Sequence, residues 1–293
     1  MSALLPWQHA SFLSFAQRRQ QGRLPHAYAL TGANGSGPGE LAAAIAASLL
    51  CLEPGASGVA CGACAGCALR LSGNHPDLSR VGLLDKKKQI GIDQIRSASA
   101  SLSARPQRGG WQILIVDPAD AMNGAAQNAL LKTLEEPASD TVLLLVAHDV
   151  GRLLPTIRSR CQRLDLPAPD AASSIAWLQT QGIAAAEAAD AQALLDAGPL
   201  ALLQALRDGR LATLKQQLGV LISLIQGRLT LAEARRQLGE AEAALHGLAD
   251  LGALWTRPRD AARWPVWADV AARDPLRASR LLQAAIDARR QIG

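Results

Sequence analysis

Trp111-Gln-Ile-Leu-Ile-Val116, a following helical stretch, Thr141-Val-Leu-Leu-Leu-Val146 and then Arg158-Ser-Arg-Cys161 decide how this chain folds. The first run is short, apolar and β-branched, lies between Gly109-Gly110 and Pro118, and stops at Asp117. That is the pattern of a strand buried on both faces with an acid at its carboxyl end. From 123 to 136, Ala126, Ala129, Leu130 and Leu134 recur at helical spacing. Asn123 can cap the start and Pro137 forbids continuation. Strand, helix and second strand form one unit that carries a cluster of arginines to an edge of a parallel sheet.

Upstream, residues 1–24 alternate Trp, Phe and Leu with Gln and Arg, which predicts a helix covering one edge of that sheet. Ala27-Tyr-Ala-Leu-Thr31 then reads as a strand running into Gly32-Ala-Asn-Gly-Ser-Gly-Pro-Gly39 and a helix over 40–50. Strand, glycine loop and helix make a phosphate-binding architecture, in which backbone amides and a helix N-terminus cradle the anion. Gly32, Gly35 and Gly37 supply the loop, but Pro38 stands where a lysine is needed and Gly39 where a hydroxyl is needed. Pro38 also removes an amide donor. Glu40 adds negative charge beside the phosphate position. Asp117 remains as a candidate magnesium ligand, while Pro118 replaces the acid that would orient water. ATP hydrolysis is not expected and ATP binding is disfavoured, with weak phosphate binding to the remaining amides left open.

Cys51, Cys61, Cys64 and Cys67 contain two overlapping Cys-x-x-Cys pairs, with Gly62 and Gly66 in the turns. Four thiolates at this spacing can surround Zn2+ and leave no open coordination position, so the expected metal is structural. A reducing compartment argues against disulfides in their place. His75 lies close by in a turn, but four sulfurs suffice. The fifth cysteine, Cys161, reads as a small buried hydrophobe.

Asn128-Ala-Leu-Leu-Lys-Thr-Leu-Glu-Glu-Pro137, with Leu154-Pro-Thr-Ile-Arg-Ser-Arg-Cys161, closely resembles the clamp-loader branch of the AAA+ ATPases. The resemblance implies an α/β AAA+ domain over 1–166, a parallel sheet with helices on both faces and a zinc knuckle inserted at 51–67. It further implies a small helical lid over 167–208 and an all-helical collar over 209–293. Arg160, within Ser159-Arg160-Cys161, matches the arginine that reaches across a subunit boundary to a neighbour's ATP. His148 holds the strand-tip position of a phosphate sensor. Leu200, Ala201 and Leu202 stand where active lids carry an arginine, a third loss of nucleotide handling. The implied role is a non-hydrolysing subunit of a hetero-oligomeric loader. Its partners would be ATPase (gamma/tau-type) and delta-type subunits and, through the complex, a sliding clamp and primed DNA. A hydrolysing motor and a zinc-dependent DNA-binding module are the two alternatives.

The chain has 293 residues, enough for two or three domains, and 49% of them are apolar. No apolar run has membrane-spanning length, and Met1-Ser-Ala-Leu-Leu-Pro-Trp7 lacks the basic start of a secretory signal, so a cytoplasmic protein is expected. A net charge of +5 permits a nucleic-acid partner without demanding one. Lys86-Lys87-Lys88 reads as a solvated turn. Trp255, Trp264 and Trp267 alternate with Arg257, Arg259 and Arg263. They read as helix or interface packing rather than a nucleic-acid surface.

Overall fold

Five short strands build one wholly parallel sheet: β1 (Ala27–Gly32), β2 (Leu78–Val81), β3 (Gln112–Val116), β4 (Thr141–Ala147) and β5 (Gln162–Leu166), in the order β2-β3-β4-β1-β5. This computed structural model describes residues 4–225 apart from 103, 104, 109 and 196, together with 227–230, 233, 236 and 237. The chain divides into two compact units, Met1–Pro169 and Asp170–Gly293.

In the first unit the order of the strands explains their composition. β3 and β4 are interior and buried at every residue, which is why both read as unbroken apolar runs. β5 is an edge strand and keeps Gln162, Arg163 and Asp165 exposed. Alternate side chains enter opposite layers, as the two-residue period of a strand requires. On one face Ala29, Leu114, Val116, Leu143 and Leu145 pack with Ile95 of α4 (Ile92–Ser101) and with Ala126, Leu130 and Leu134 of α5 (Gly124–Glu135). On the other, Tyr28, Leu30, Ile113, Leu144 and Val146 meet Phe12 and Phe15 of α1 (His9–Gln20) and Leu41 and Ile45 of α2 (Pro38–Leu50). Each fully buried Leu or Ile here contributes about 1.5–3 kcal/mol from the area it removes from water.

Side-chain caps fix several helix boundaries. Asn123 Oδ1 accepts the Ala126 N–H at 2.8 Å and starts α5. Gln94 starts α4 by accepting the Gly91 N–H at 3.1 Å. The helix expected over 1–24 is shorter, because Pro6 opens a 3-10 turn, Pro6–Gln8, before α1 begins. Lys86, Lys87 and Lys88 lie on an exposed turn.

The second unit contains helices α7 (Ala171–Thr180), α8 (Ala185–Leu195), α9 (Pro199–Arg207) and α10 (Arg210–Ile225). Two further short helices, α3 (Ala65–Leu71) and α6 (Pro155–Arg158), belong to the first unit. Asp170 caps α7 by accepting the Ser173 N–H at 2.6 Å. Leu178, Ala188, Ala191, Leu194, Leu202 and Leu211 share one buried cluster in this unit. Most of the collar expected over 209–293, from residue 238 onward and including Trp255, Trp264, Trp267 and their arginines, lies outside the described residues. Among the described residues, no helix is long and apolar enough to cross a membrane.

Candidate functional site

The glycine loop sits at the carboxyl end of β1, between β1 and α2. Gly32 closes the strand, and Gly35 and Gly37 take φ values of 79° and 85° that turn the chain into the helix. The loop's own carbonyl groups are already held. Trp7 Nε1 donates to Ser36 O at 2.7 Å, Gln8 Nε2 donates to Gly37 O at 2.7 Å, and Ser36 Oγ donates to Ala33 O at 2.7 Å. Gln8, Ser36, Gly37 and Pro38 are all buried. The 3-10 turn therefore buttresses the loop from behind. Sequence reading missed this, because nothing in residues 6–8 points to a partner 29 positions away.

Asp117, at the carboxyl tip of β3, leans on the same loop. A Cβ placed on Gly39 would stand 2.6 Å from Asp117 Oδ2. The missing hydroxyl thus leaves space that the carboxylate now takes. Although Asp117 as a residue is solvent-exposed, its carboxyl group is crowded. That local desolvation raises its pKa, Glu40 and Asp120 push the same way, and His148 and Arg80 oppose them. Asp120 is itself buried and accepts the N–H groups of His148 and Asp149 at 3.4 and 3.1 Å, tying down the tip of β4. His148 is exposed there.

Arg160 lies at the other end of the same strands. β5 runs parallel to β1 with Gln162 beside Tyr28 and Leu166 beside Gly32. Four strand steps of about 3.3 Å each, about 13 Å along the sheet, separate Gln162, two residues after Arg160, from Leu166 beside Gly32 of the glycine loop. Its Nη2 pairs with Glu135 Oε1 at 2.8 Å, and its Nη1 donates to Thr156 O at 3.0 Å. Asp149 accepts the Gly151 N–H at 2.8 Å. Ser159 is exposed and donates to Thr156 O at 3.1 Å. Cys161 is 9% exposed and packs in the apolar layer with α5, where burial lifts its thiol to about 11.

The four other cysteines come together. Their sulfur atoms all lie within 4.8 Å of one another. Cys51 Sγ stands 3.5 Å from Cys61 Sγ and 3.8 Å from Cys64 Sγ. A tetrahedron with metal–sulfur distances of about 2.3 Å has edges of about 3.8 Å, so the set fits a single ion. Cys51 closes α2, and Cys64 caps α3 by accepting the Cys67 N–H. This N–H, followed by that of Leu52, pulls the Cys64 thiol down to about 6; burial pushes Cys67 up to about 12. Gly66 is required by close packing, since a Cβ there would collide with the Leu50 carbonyl. Arg19 Nη1 reaches Ser48 O at 2.8 Å, and Ser48 Oγ donates to Gly58 O at 2.6 Å, which straps the loop to α1 and α2. His75 stays outside the sulfur group, buried, with its Nδ1 accepting the Asp77 N–H at 3.2 Å.

With this geometry in view, sequence comparison is specific. The family described as "DNA polymerase III, delta subunit" matches residues 7–170. The chain belongs to that family. A relative called DNA polymerase III subunit delta' from Pseudomonas aeruginosa is 45% identical over 178 residues, covering 61% of this chain and 53% of the relative. The delta' subunit of Escherichia coli K12 is 34% identical over 193 residues, covering 66% and 58%. The E. coli tau subunit is 33% identical over 149 residues, covering 51% and 23%. The chain thus spans about half the length of the delta' relatives it matches. Among solved structures, a gamma-subunit-related protein of Thermotoga maritima aligns at 18% identity over 94% of this chain and 98% of its own, with a TM-score of 0.49.

In this DNA polymerase III delta-family chain, the matched segment holds the glycine loop, the cysteine set and Arg160 together. Sequence reading missed Glu135 as the partner of Arg160. One signal was present, because two acids at the end of a helix are poorly placed against its dipole and call for a cation.

Proposed function

We propose that the chain is a delta' subunit of the clamp loader, a AAA+ protein that completes a neighbouring subunit's ATP site and hydrolyses nothing itself. The carrying observation is the separation of two features on one pair of strands. At the carboxyl end, Pro38, Gly39 and Pro118 remove the lysine, the hydroxyl and the water-orienting acid, and the Asp117 carboxylate crowds Gly39. At the amino end, Arg160 stands at the surface just before Gln162, which lies four strand steps, about 13 Å, from the residue beside Gly32, and this favours a phosphate outside its own subunit. A guanidinium that bridges a transferring phosphoryl group is worth on the order of 10³ to 10⁵ in rate. In trans, Arg160 supplies that to the gamma/tau-type ATPase beside it, while a delta-type subunit, the sliding clamp and primed DNA complete the assembly.

The cysteine set holds structural Zn2+ through Cys51, Cys61, Cys64 and Cys67, the metal that four thiolates at this spacing favour. The ion would fix the 51–67 loop on α2 and α3. Helices α7 to α9 are the lid, and α10 begins the collar.

The test is a reconstituted loader. The isolated protein should show no ATP turnover, and Arg160→Ala should cut the DNA-stimulated ATPase of the assembled complex. Turnover by the isolated wild type would instead favour the motor reading, and tight, salt-sensitive DNA binding by the lone subunit the DNA-binding module.

A further inference from the structure

The Arg160 guanidinium is already oriented within its own subunit. Glu135 Oε1 takes Nη2 at 2.8 Å, Thr156 O takes Nη1 at 3.0 Å, and Ser159 Oγ lies 3.5 Å from Nη1. A guanidinium carries five N–H donors, so at least two stay free for another acceptor. The side chains of Arg160 and Glu135 are 36% and 51% exposed, which leaves those donors within reach of a second molecule.

Both tethers stand on fixed elements. Gln127 of α5 donates from Nε2 to Arg152 O at 3.1 Å and accepts the Leu154 N–H at 2.8 Å, which fastens the segment entering α6 onto α5. Leu130 and Ile157, both fully buried, pack in the same layer beneath. Glu135 and Thr156 therefore keep their spacing. A carboxylate in the last turn of a helix opposes the dipole, so Glu135 is badly placed to stabilise α5 by itself and well placed to draw in a cation. Two anchor points on different elements fix the plane of the guanidinium, where one would let it swing.

We propose that Glu135 is a positioning residue for Arg160. With the Thr156 carbonyl, it holds the guanidinium in one plane so that the remaining N–H donors meet the phosphate oxygens of an adjoining subunit without first losing rotamer freedom. This inference rests on the reading of Arg160 as a group that acts in trans. Glu135 does not touch the phosphate; it acts through the arginine.

The experiment compares wild type, Arg160→Ala, Glu135→Gln and Glu135→Asp in the full protein assembled with its ATPase partners, with kcat, KM for ATP and melting midpoint measured for each. Glu135→Gln should lower kcat about two- to fivefold, the fold equivalent of one surface ion pair. KM and the melting midpoint should stay at wild-type values, and Glu135→Asp should recover most of kcat. If Arg160→Ala leaves the ATPase unchanged, the trans reading fails and the role of Glu135 falls with it. If Arg160→Ala is severe while Glu135→Gln matches or exceeds wild type, only the positioning role is overturned. A faster Glu135→Gln enzyme would make Glu135 a competitor for the arginine. A lowered melting midpoint with unchanged kcat would make it a structural residue.

Discussion

The two ends of the β1–β5 pair have had opposite fates. At the carboxyl end a phosphate-loop backbone survives with its glycines, positive φ angles and helix start, but the groups that would hold nucleotide are missing. At the amino end the backbone is an unremarkable short helix and strand start, yet it presents a tethered arginine at the surface. Backbone architecture and chemical competence are thus separable. A loop can keep its shape because Trp7, Gln8 and Ser36 hold its carbonyls.

Four measurements can break or sharpen this contrast. The largest effect belongs to the arginine. Replacing Arg160 by Lys should cost nearly as much as Arg160→Ala at the neighbouring ATP site proposed for it, on the order of 10³ in rate, because an ammonium keeps the charge but loses the planar fork. Near-wild-type activity of Arg160→Lys in the assembled ATPase would reduce the amino end to simple electrostatics.

Next in size is the metal. Cys64→Ser, or stripping with a strong chelator, should release one equivalent of zinc and unfold the 51–67 segment, because binding energy at such a site is folding energy. Limited proteolysis would show new cuts there while the sheet persists. A protein that carries no zinc as purified would remove the metal from the account.

Rebuilding the loop should have a smaller effect. Pro38→Lys with Gly39→Thr should not restore hydrolysis, since Pro118 still replaces the water-orienting acid. It should also lower stability by about 1 kcal/mol as the new side chain displaces the Asp117 carboxylate. Adding Asp117→Ala should return most of that loss in a double-mutant cycle read by denaturant unfolding. Measurable turnover by the rebuilt chain would show that the loop was the only defect.

The smallest effect is on pH. Crowding raises the pKa of Asp117, so the folded state binds its proton more readily than the unfolded chain does. Stability should therefore increase as pH falls through the folded pKa, the gain being complete below the unfolded value of about 3.9, and decrease as pH rises through the same window. Asp117→Asn should flatten this part of the stability profile, by well under about 1 kcal/mol because the residue is exposed. An unchanged profile would mean that the carboxylate is not crowded in solution.

Much of the fold was legible in local sequence. Buried strands show as unbroken apolar runs, so 111–116 and 141–146 were readable within a residue of β3 and β4. The cap made by Asn123 acts over three residues and was readable for the same reason. The edge strand β5 was less legible, because Gln162, Arg163 and Asp165 face water and break the pattern. In the site, the four cysteines and the losses at 38 and 39 could be read from spacing and residue type.

Sequence alone determined the chemistry each position offers: four thiols, a loop without lysine or hydroxyl, and an arginine after Ser159. Tertiary structure decided which groups meet. It placed Asp117 against Gly39, set Glu135 and the Thr156 carbonyl on Arg160, strapped Gly58 to Ser48, and put the glycine loop and the arginine at opposite ends of neighbouring strands. The physical reason is range. Caps, turns and strand periodicity are set by neighbours a few residues apart, whereas these contacts join segments brought together only when the parallel sheet and its two helical layers close.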